Sequence, residues 1–439
     1  MRPRSTSPRG APPCSTGRRW SCGWWAISSS NPGGLDSLAA HFFREEYGRL
    51  VGRLVRVLGP DHLGLAEDAV QEALASAVRT WPLRGVPDDP AAWLATVARN
   101  AATDAVRRSA RLSAALRSLA AEGTDGAPVS PEADQLDLAF LCCHPRLPRS
   151  ERVVLTLKVV AGFGTDEVAA AFLVPVATVA QRIVRAKRRI RDQGLTLDGS
   201  SEASIVERLP SVLDVIYLVF NHGYTIGPGE AGLRTEFAGE ALRLLEILAA
   251  RHPRPEVHAL AALCWLQSSR FEARIDPAGV SVPLRDQDRS RWDGQRIGRG
   301  LHHLSLAGRG ETLSDFHLLA GIAACHAVGS GETTDWARVL DLYDTLLSRT
   351  DTPVAALNRI VAWSMVHGAS EALPLLDDLD RTSTRPPRHL MQAARADLLE
   401  RAGRAADAAG EFQRAAQIAP NEPERLSLLR RASAAHDTR

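Results

Sequence analysis

The sequence predicts an all-α protein with two small helical domains, a linker between them and a long helical C-terminal region. Apolar residues recur at helical spacings of three and four, as in the stripe Val179, Ile183, Ala186 and Ile190. From about residue 204 onward the same periodicity continues without strand-like alternation. Stretches rich in proline and glycine separate the periodic segments. At 439 residues the chain is too long for one compact domain, so we expect several.

The overall composition limits the classes of protein to consider. The formal net charge is only +2, so any affinity for nucleic acid has to come from local basic patches. No apolar run reaches the length of a membrane span, and we expect a cytoplasmic protein. Residues 1–34 lack the apolar core and cleavage site of a signal peptide. We interpret them as a disordered tail or as the product of an upstream start codon.

The six cysteines are dispersed along a chain that is large enough to build an apolar core, so a disulfide framework is not expected. The run Cys142, Cys143 and His144 suggests a metal site. Adjacent cysteines without a second pair match no usual zinc spacing, however. We therefore predict buried thiols, with neither a metal nor a cofactor.

Three helices are predicted in the first domain. The first covers residues 36–58 and the second residues 63–79, where Trp81 and Pro82 are expected to stop it. Polar and acidic side chains form one exposed face of the second helix: Asp68, Gln71 and Glu72. The third helix starts after Pro90 and carries several aromatic, amide and basic side chains: Trp93, Arg99, Asn100, Arg107 and Arg108.

Residues 150–191 are predicted to form three short helices, of which the last is basic. Gly162 and Gly164 separate the first two, and Pro175 precedes the third because proline is tolerated at a helix start. Opposite its apolar stripe the third helix carries polar and basic residues: Thr178, Gln181, Arg182, Arg185, Arg188 and Arg189. Such a unit suits the DNA major groove, with the first turns reading base edges and later arginines holding phosphates. The alternative is the solvated face of an ordinary helical bundle.

The chain resembles bacterial RNA polymerase sigma factors of the extracytoplasmic-function class. The resemblance lies in AEDAVQEAL, in GVPDDPAAWLATVARNAATDAVRR and in the helix-turn-helix, in that order. A further segment, FLCCHPRLPRSERVVLTLKVVAGF, is similar to the start of domain 4 in a subgroup with a long C-terminal helical extension. The resemblance implies a tail at 1–34, sigma domain 2 at 35–108, a linker at 109–137, sigma domain 4 at 138–195 and the extension at 196–439.

The resemblance also implies two partners, promoter DNA and core RNA polymerase. Asp68, Gln71 and Glu72 would dock on the clamp coiled coil of the β′ subunit, with the β flap as a further contact. The loop at residues 83–90 would capture a flipped base of the −10 element together with Asn100. Trp93 would belong to the melting region, although a packed core tryptophan is an equally good interpretation. The arginines of the same helix would track phosphates: Arg99, Arg107 and Arg108.

In the −35-reading helix, Gln181 and Arg185 would read bases and Arg182 would contact the backbone, as the resemblance implies. The other predicted contacts on this helix are Thr178, Lys187 and Arg188. Ala180 stands where family members often carry arginine or lysine, which leaves the −35 sequence preference open.

The extension carries further segments that are similar to the same subgroup: VLDVIYLVFNHGYT (212–225), QDRSRWD (287–293), AGIAACHA (320–327) and LNRIVAW (357–363). We interpret them as helix-packing segments. Residues 390–424 follow the tetratricopeptide pattern in part, with Ala396, Leu399, Gly403, Ala408, Phe412, Ala415 and Pro420 at its offsets. Residues 353–380 match the same repeat pattern more weakly and would form a neighbouring repeat. Stacked helix pairs usually bind protein or peptide, so such a partner is expected.

The sequence thus predicts an alternative sigma factor without enzymatic activity, which its extension regulates in cis. One alternative is a one-component regulator that binds duplex DNA and senses a ligand through the repeat domain. A second is an enzyme whose pocket is lined by Tyr217, Phe220, Asn221 and Tyr224. No nucleophile–base pair, phosphate-binding loop or metal set accompanies those four residues in the sequence.

Overall fold

The computed structural model describes residues 32–108, 131–172, 174–197, 202–226, 232–329, 333–382 and 386–437. In these ranges the chain forms eighteen α-helices and no β-strand, which confirms the all-α prediction. An isolated bridge joins Ile275 to Ser281. The predicted tail, apart from its last three residues, and the linker up to residue 130 lie outside the described residues.

The first module contains α1 (Pro32–Leu58), α2 (Leu63–Arg84) and α3 (Pro90–Arg108), with a 3-10 turn at Pro60–His62. The expectation that Trp81 and Pro82 stop the second helix is wrong. Trp81 is buried, and the helix continues until Gly85, whose φ of 84° is in the left-handed region and whose N–H donates to the Trp81 carbonyl. Pro82 has no backbone N–H, so the helix loses one hydrogen bond there. The burial of the Trp81 ring stabilises the helix by more than this loss costs.

The second module contains α4 (Pro131–Cys142), α5 (Arg149–Leu155), α6 (Thr165–Phe172) and α7 (Val176–Asp192). A single π-helical segment, Thr156–Val160, extends α5. The helix α4 begins inside the stretch that we interpreted as linker. Pro175 precedes α7 in an extended conformation, so the proline ends the turn and opens the last helix as predicted.

The extension begins with α8 (Glu202–Tyr224), α9 (Thr235–Arg251) and α10 (Pro255–Ser268). Three 3-10 turns follow, at Phe271–Ala273, Leu284–Asp286 and Arg289–Arg291. The remaining helices are α11 (Gly294–Ala307), α12 (Asp315–Val328), α13 (Trp336–Leu347), α14 (Pro353–His367), α15 (Ala369–Asp380), α16 (Arg388–Arg401), α17 (Ala405–Gln417) and α18 (Glu422–Asp437). Helices α16 and α17 pack together, and Gly403 turns the chain between them with a φ of 75°. Their assignment to the tetratricopeptide class stays a prediction.

Three of the four motifs of the extension meet in one cluster of arginines and aromatic rings. Arg274 lies over the Tyr224 ring at 3.9 Å, and Arg289 lies over Trp292 at 4.2 Å. Arg289 also donates to the carbonyl of His326, so residues 287–293 and 320–327 are in contact. Arg270 lies over the rings of both Tyr224 and Trp292, at 5.8 and 5.7 Å, and so links residues 212–225 to them. Phe220 is fully buried. These contacts agree with helix packing.

One apolar core extends through both modules and into the extension. It runs without interruption from Tyr47 in α1 to Trp265 in α10 and includes one residue of α12, Ala320. The later helices have smaller cores of their own. The two modules and the first three helices of the extension therefore fold as one packed body.

Two glycines of α1 allow the second module to approach closely. A Cβ atom at Gly48 would lie 2.0 Å from the Val160 carbonyl oxygen, and one at Gly52 would lie 2.5 Å from the Asp134 carbonyl oxygen. Only glycine fits at a backbone contact of this kind. Arg56 of α1 adds ion pairs to Asp134 and Asp137 of α4.

The predicted thiols are confirmed as buried at Cys142, Cys143 and Cys264, and Cys325 is half-buried. Burial raises the pKa of Cys143 to about 12, which keeps the thiol protonated. The described residues contain no group of three or more His, Cys, Asp or Glu side chains that could hold a metal ion. Within the same residues no single helix is long and apolar enough to cross a membrane, and α6 and α7 meet that test only when added together across a 113° bend.

Candidate nucleic-acid interface

The helix α7 presents a polar face to solvent. Its apolar stripe is buried as predicted: Val179, Ile183, Ala186 and Ile190. Gln181, Arg185 and Arg188 are exposed, and Thr178 and Arg182 are half-buried. Arg188 forms an ion pair with Asp192 on the same helix at 3.1 Å. The exposed side chains form a polar and basic surface that is free to meet a DNA groove.

Lys187 does not share that surface. Its ammonium group forms an ion pair with Glu67 of α2, and the carboxylate side chain of Glu67 is only 3% exposed. Glu67 also accepts a hydrogen bond from the Tyr47 hydroxyl at 3.2 Å. Periodicity along α7 alone could not find this partner, because it comes from the other module.

The predicted docking face lies on the outer side of α2. Asp68, Gln71 and Glu72 are exposed, whereas Ala66, Ala69, Val70 and Ala73 of the same helix are buried. Glu67 is adjacent to this face but points inward. The helix therefore separates a solvent-facing acidic surface from an inner carboxylate that binds Lys187.

Trp93 points towards the core of the first module. Its ring contacts Trp81 edge-on with centroids 5.6 Å apart, and Trp81 also packs on Phe43 at 5.6 Å. This geometry fits the packing interpretation better than a role on the DNA surface. Arginine and amide side chains of α3 lie outside this aromatic cluster.

Three polar or basic residues of α3 are exposed to solvent: Arg99, Asn100 and Arg107. Arg107 lies 3.8 Å from Asp104, a solvent-screened pair that leaves the guanidinium available to a phosphate. The side chain of Arg108 lies outside the described residues. The predicted loop at residues 83–90 begins only at residue 85, because Leu83 and Arg84 still belong to α2. The loop is open to solvent, and Val86 is 42% exposed. Asp89 accepts from the Ala92 N–H at 3.0 Å and so fixes the start of the helix.

The extension packs on the second module through several polar contacts and ring contacts. Arg149 of α5 forms two hydrogen bonds to Asp214 of α8, at 2.7 and 2.6 Å. The rings of Phe163 and Phe237 stack with centroids 4.1 Å apart. Sequence reasoning missed these contacts. The glycines four residues apart in α1, Gly48 and Gly52, signal only the contact of α1 with the second module.

Comparison with known families agrees with this geometry. Residues 43–112 match the family described as Sigma-70 region 2, and residues 137–190 match Sigma-70, region 4. An uncharacterized protein of Rhizobium meliloti (strain 1021) is 38% identical over 377 residues, which cover 83% of this chain and 88% of that protein. The chain belongs to the sigma-70 family, as a sigma factor of the extracytoplasmic-function type with a C-terminal extension. The first module of the sigma factor is thus region 2, and the second is region 4.

Part of the extension of the sigma factor has a family of its own. Residues 208–308 match a family of unknown function (DUF6596). No solved structure matches the chain. Membership in the sigma-70 family implies binding to core RNA polymerase and promoter DNA, and a role in promoter-specific transcription.

Proposed function

We propose that this sigma factor opens the −10 element with its first module and reads the −35 element through α7. The observation that carries the assignment is the exposed polar face of α7, where Gln181 and Arg185 stand free beside a buried apolar stripe. Asp68, Gln71 and Glu72 would dock on the β′ clamp. Melting would be driven by tighter binding to the flipped strand than to the duplex.

We also propose that the packed arrangement is a resting state. The −10 and −35 elements lie about 25 base pairs apart, which is roughly 85 Å along B-form DNA. Helices α1 and α4 are in direct contact, and a module of this size has a radius of gyration of only about 11 Å. Two touching modules cannot reach both elements at once. The modules would separate on the polymerase.

The extension is the element that would hold the resting state. It contacts α4 and α5 of region 4 through Arg243, which donates to Gln135 at 3.1 Å, and through Asp214. The Gln135 amide donates in turn to the Val160 carbonyl at 2.8 Å, beside Gly48 of region 2. A chain of contacts thus runs from the extension to both modules, which supports regulation in cis.

Run-off transcription on genomic DNA with purified core polymerase tests the proposed function. We expect RNA 5′ ends that core polymerase alone does not produce. A one-component regulator would instead shift promoter duplexes in a gel without polymerase. No new 5′ end, together with a gel shift by the isolated chain, would contradict the sigma assignment.

A further inference from the structure

Region 2, region 4 and the extension meet around one half-open cavity of about 400 Å³. This volume is within the range of pockets that hold small metabolites. Its walls include Arg44 of α1, Phe163 at the start of the turn before α6, and Gly239 of α9. Phe271 and Arg296 close the side formed by the extension. The cavity therefore exists only where the three parts are packed together.

Two guanidinium groups of the cavity retain unused donors. Arg44 donates through one nitrogen to Glu167 at 2.8 Å, and its guanidinium lies 5.0 Å from the Phe163 ring centre. Arg296 pairs with Asp293 at 3.2 Å through one nitrogen and donates to the Ser268 carbonyl through another. A guanidinium has five N–H donors, so each retains donors without an acceptor among the described residues.

Two carboxylates also line the cavity, Glu236 and Glu240. Both oxygens of Glu240 are bonded to Arg243, at 2.8 and 2.7 Å. Glu236 is exposed in the first turn of α9. Two aromatic rings complete the lining, Phe163 and Phe271, and the Arg296 guanidinium lies 5.6 Å from the Phe271 ring centre. The Phe163 side chain is only 1% exposed and its ring stacks on Phe237, so the half-buried Phe271 ring is the apolar wall next to the positively charged donors.

We propose that this cavity binds an aromatic carboxylate and that the ligand stabilises the packed arrangement. The carboxylate would accept from the free N–H groups of Arg44 and Arg296, and the ring would lie against Phe271. A ligand that touches the sigma modules and the extension binds only the packed form, and it shifts the equilibrium towards that form. This regulatory consequence depends on the proposed resting state, whereas the binding site itself does not.

Isothermal titration of the full chain, without polymerase, tests the site. The probe is 2-naphthoate, and its neutral isostere 2-naphthamide is the control ligand. We expect saturable binding of naphthoate that is at least about tenfold tighter than that of the amide, because a charge-assisted hydrogen bond is lost in the amide. Absence of binding, or equal binding of the two compounds, would overturn the proposal.

Matched glycine variants locate the binding. A Cβ atom at Gly239 or at Gly298 would have no heavy atom within 4 Å, so neither backbone position is crowded. Both glycines are helical, but only Gly239 lines the cavity. Gly239→Leu should fill the cavity and abolish naphthoate binding, and Gly298→Leu should bind like the wild type. Equal binding by the two variants would place the probe elsewhere and refute the site.

Two variants that each remove one positive charge test the same assignment. Arg296→Gln should weaken naphthoate binding about tenfold, and Arg299→Gln, on the same helix but outside the cavity, should leave it within about twofold. In run-off transcription, naphthoate should lower the transcript yield of the wild type and not that of Gly239→Leu. If naphthoate changes the transcript yield of both proteins, or of neither, the proposed regulation by the ligand is refuted. Calorimetry needs no polymerase, so a failure of the site is distinct from a failure of the sigma assignment.

Discussion

Lys187 of α7 forms an ion pair with Glu67 of α2, so the helix that would read DNA is tied to the helix that would dock on polymerase. The Glu67 side chain is almost completely buried, and the Tyr47 hydroxyl donates to the same carboxylate. Burial, together with the negative charge of Glu67, raises the pKa of Tyr47 well above its usual range. Tyr47 therefore stays a neutral donor at any physiological pH.

The Glu67→Gln variant should be less stable than the wild type. Removing the charge leaves the Lys187 ammonium half-buried without its partner, and the loss of such a partner costs about 1–3 kcal/mol. Urea unfolding measures the change in the free energy of unfolding. The control is Glu72→Gln, an exposed carboxylate of the same helix, which should change it by less than about 0.5 kcal/mol. Equal values for the two variants would mean that the ion pair is not formed in solution.

The Gly48→Leu variant should separate the two modules. A side chain at this position meets the Val160 carbonyl oxygen and the Gln135 amide, both at impossible distances, so α1 and the second module have to move apart. Small-angle scattering should show a larger radius of gyration. Run-off transcription with core polymerase should rise several-fold if the packed arrangement is the resting state.

The control for Gly48→Leu is Gly64→Leu, a substitution that also lies in the first module. A Cβ atom at Gly64 has no heavy atom within 4 Å, so the backbone there is not crowded. Its radius of gyration and its transcription should match the wild type. If Gly48→Leu has a larger radius of gyration but gives no more transcript than this control, the resting-state proposal is contradicted.

The helices and their exposed faces were predictable because they depend on local periodicity. The stripe of α7 and the outer face of α2 follow from spacings of three and four, and both Gln181 and Asp68 lie where the spacing predicts. The end of a helix depends on tertiary contacts as well. Pro82 was expected to stop α2, but the burial of Trp81 against neighbouring rings holds one more turn in place.

The packing of the modules was not predictable from periodicity. Lys187 and Glu67 are far apart in the sequence, and nothing in either helix indicates the other. The same holds for the stacking of Phe163 on Phe237. Contacts of this kind depend on the tertiary arrangement, in which the buried surface decides which faces meet. The spacing of Gly48 and Gly52 was a local sign of such a contact.

Base reading on α7 should depend on Gln181 and Arg185 rather than on Lys187. Gln181→Ala or Arg185→Ala should cost about 1–3 kcal/mol of discrimination between −35 variants, because a side chain that bonds a base edge is lost. Lys187→Ala should change transcription from all −35 variants by the same factor. Transcription from a library of −35 sequences provides the measurement. A sequence-independent loss for all three variants would show that Gln181 and Arg185 contact only the backbone.

Docking on core polymerase should depend on the outer face of α2. The double variant Asp68→Arg with Glu72→Arg should abolish co-purification with core, because it reverses the charge of an exposed protein-binding surface. The control is Asp61→Arg, an exposed charge reversal just outside α2. Circular dichroism should show the helical content of both proteins unchanged. Normal co-purification of the double variant would refute the docking face.

His326 should make the stability of the extension depend on pH. Burial, then the positive charges of Arg270 and Arg289, lower the pKa of His326 from 6.5 to about 4. Between these two values the unfolded chain binds a proton that the folded chain does not, so the free energy of unfolding decreases as the pH falls. From pH 7 to pH 5 this one group accounts for a loss of about 2 kcal/mol.

The His326→Phe variant isolates this contribution, because a phenyl ring retains the edge contact to Trp336, whose centroid is 5.2 Å away. Other histidines of the chain also have pKa values that burial lowers, among them His222 and His258, so the wild type has a compound pH dependence. Urea unfolding at pH 7 and pH 5 should show a smaller loss for the variant, by about 2 kcal/mol. The exposed control His436→Phe should follow the wild type. If the losses of all three proteins are equal, His326 is not held in its neutral form by the arginines around it.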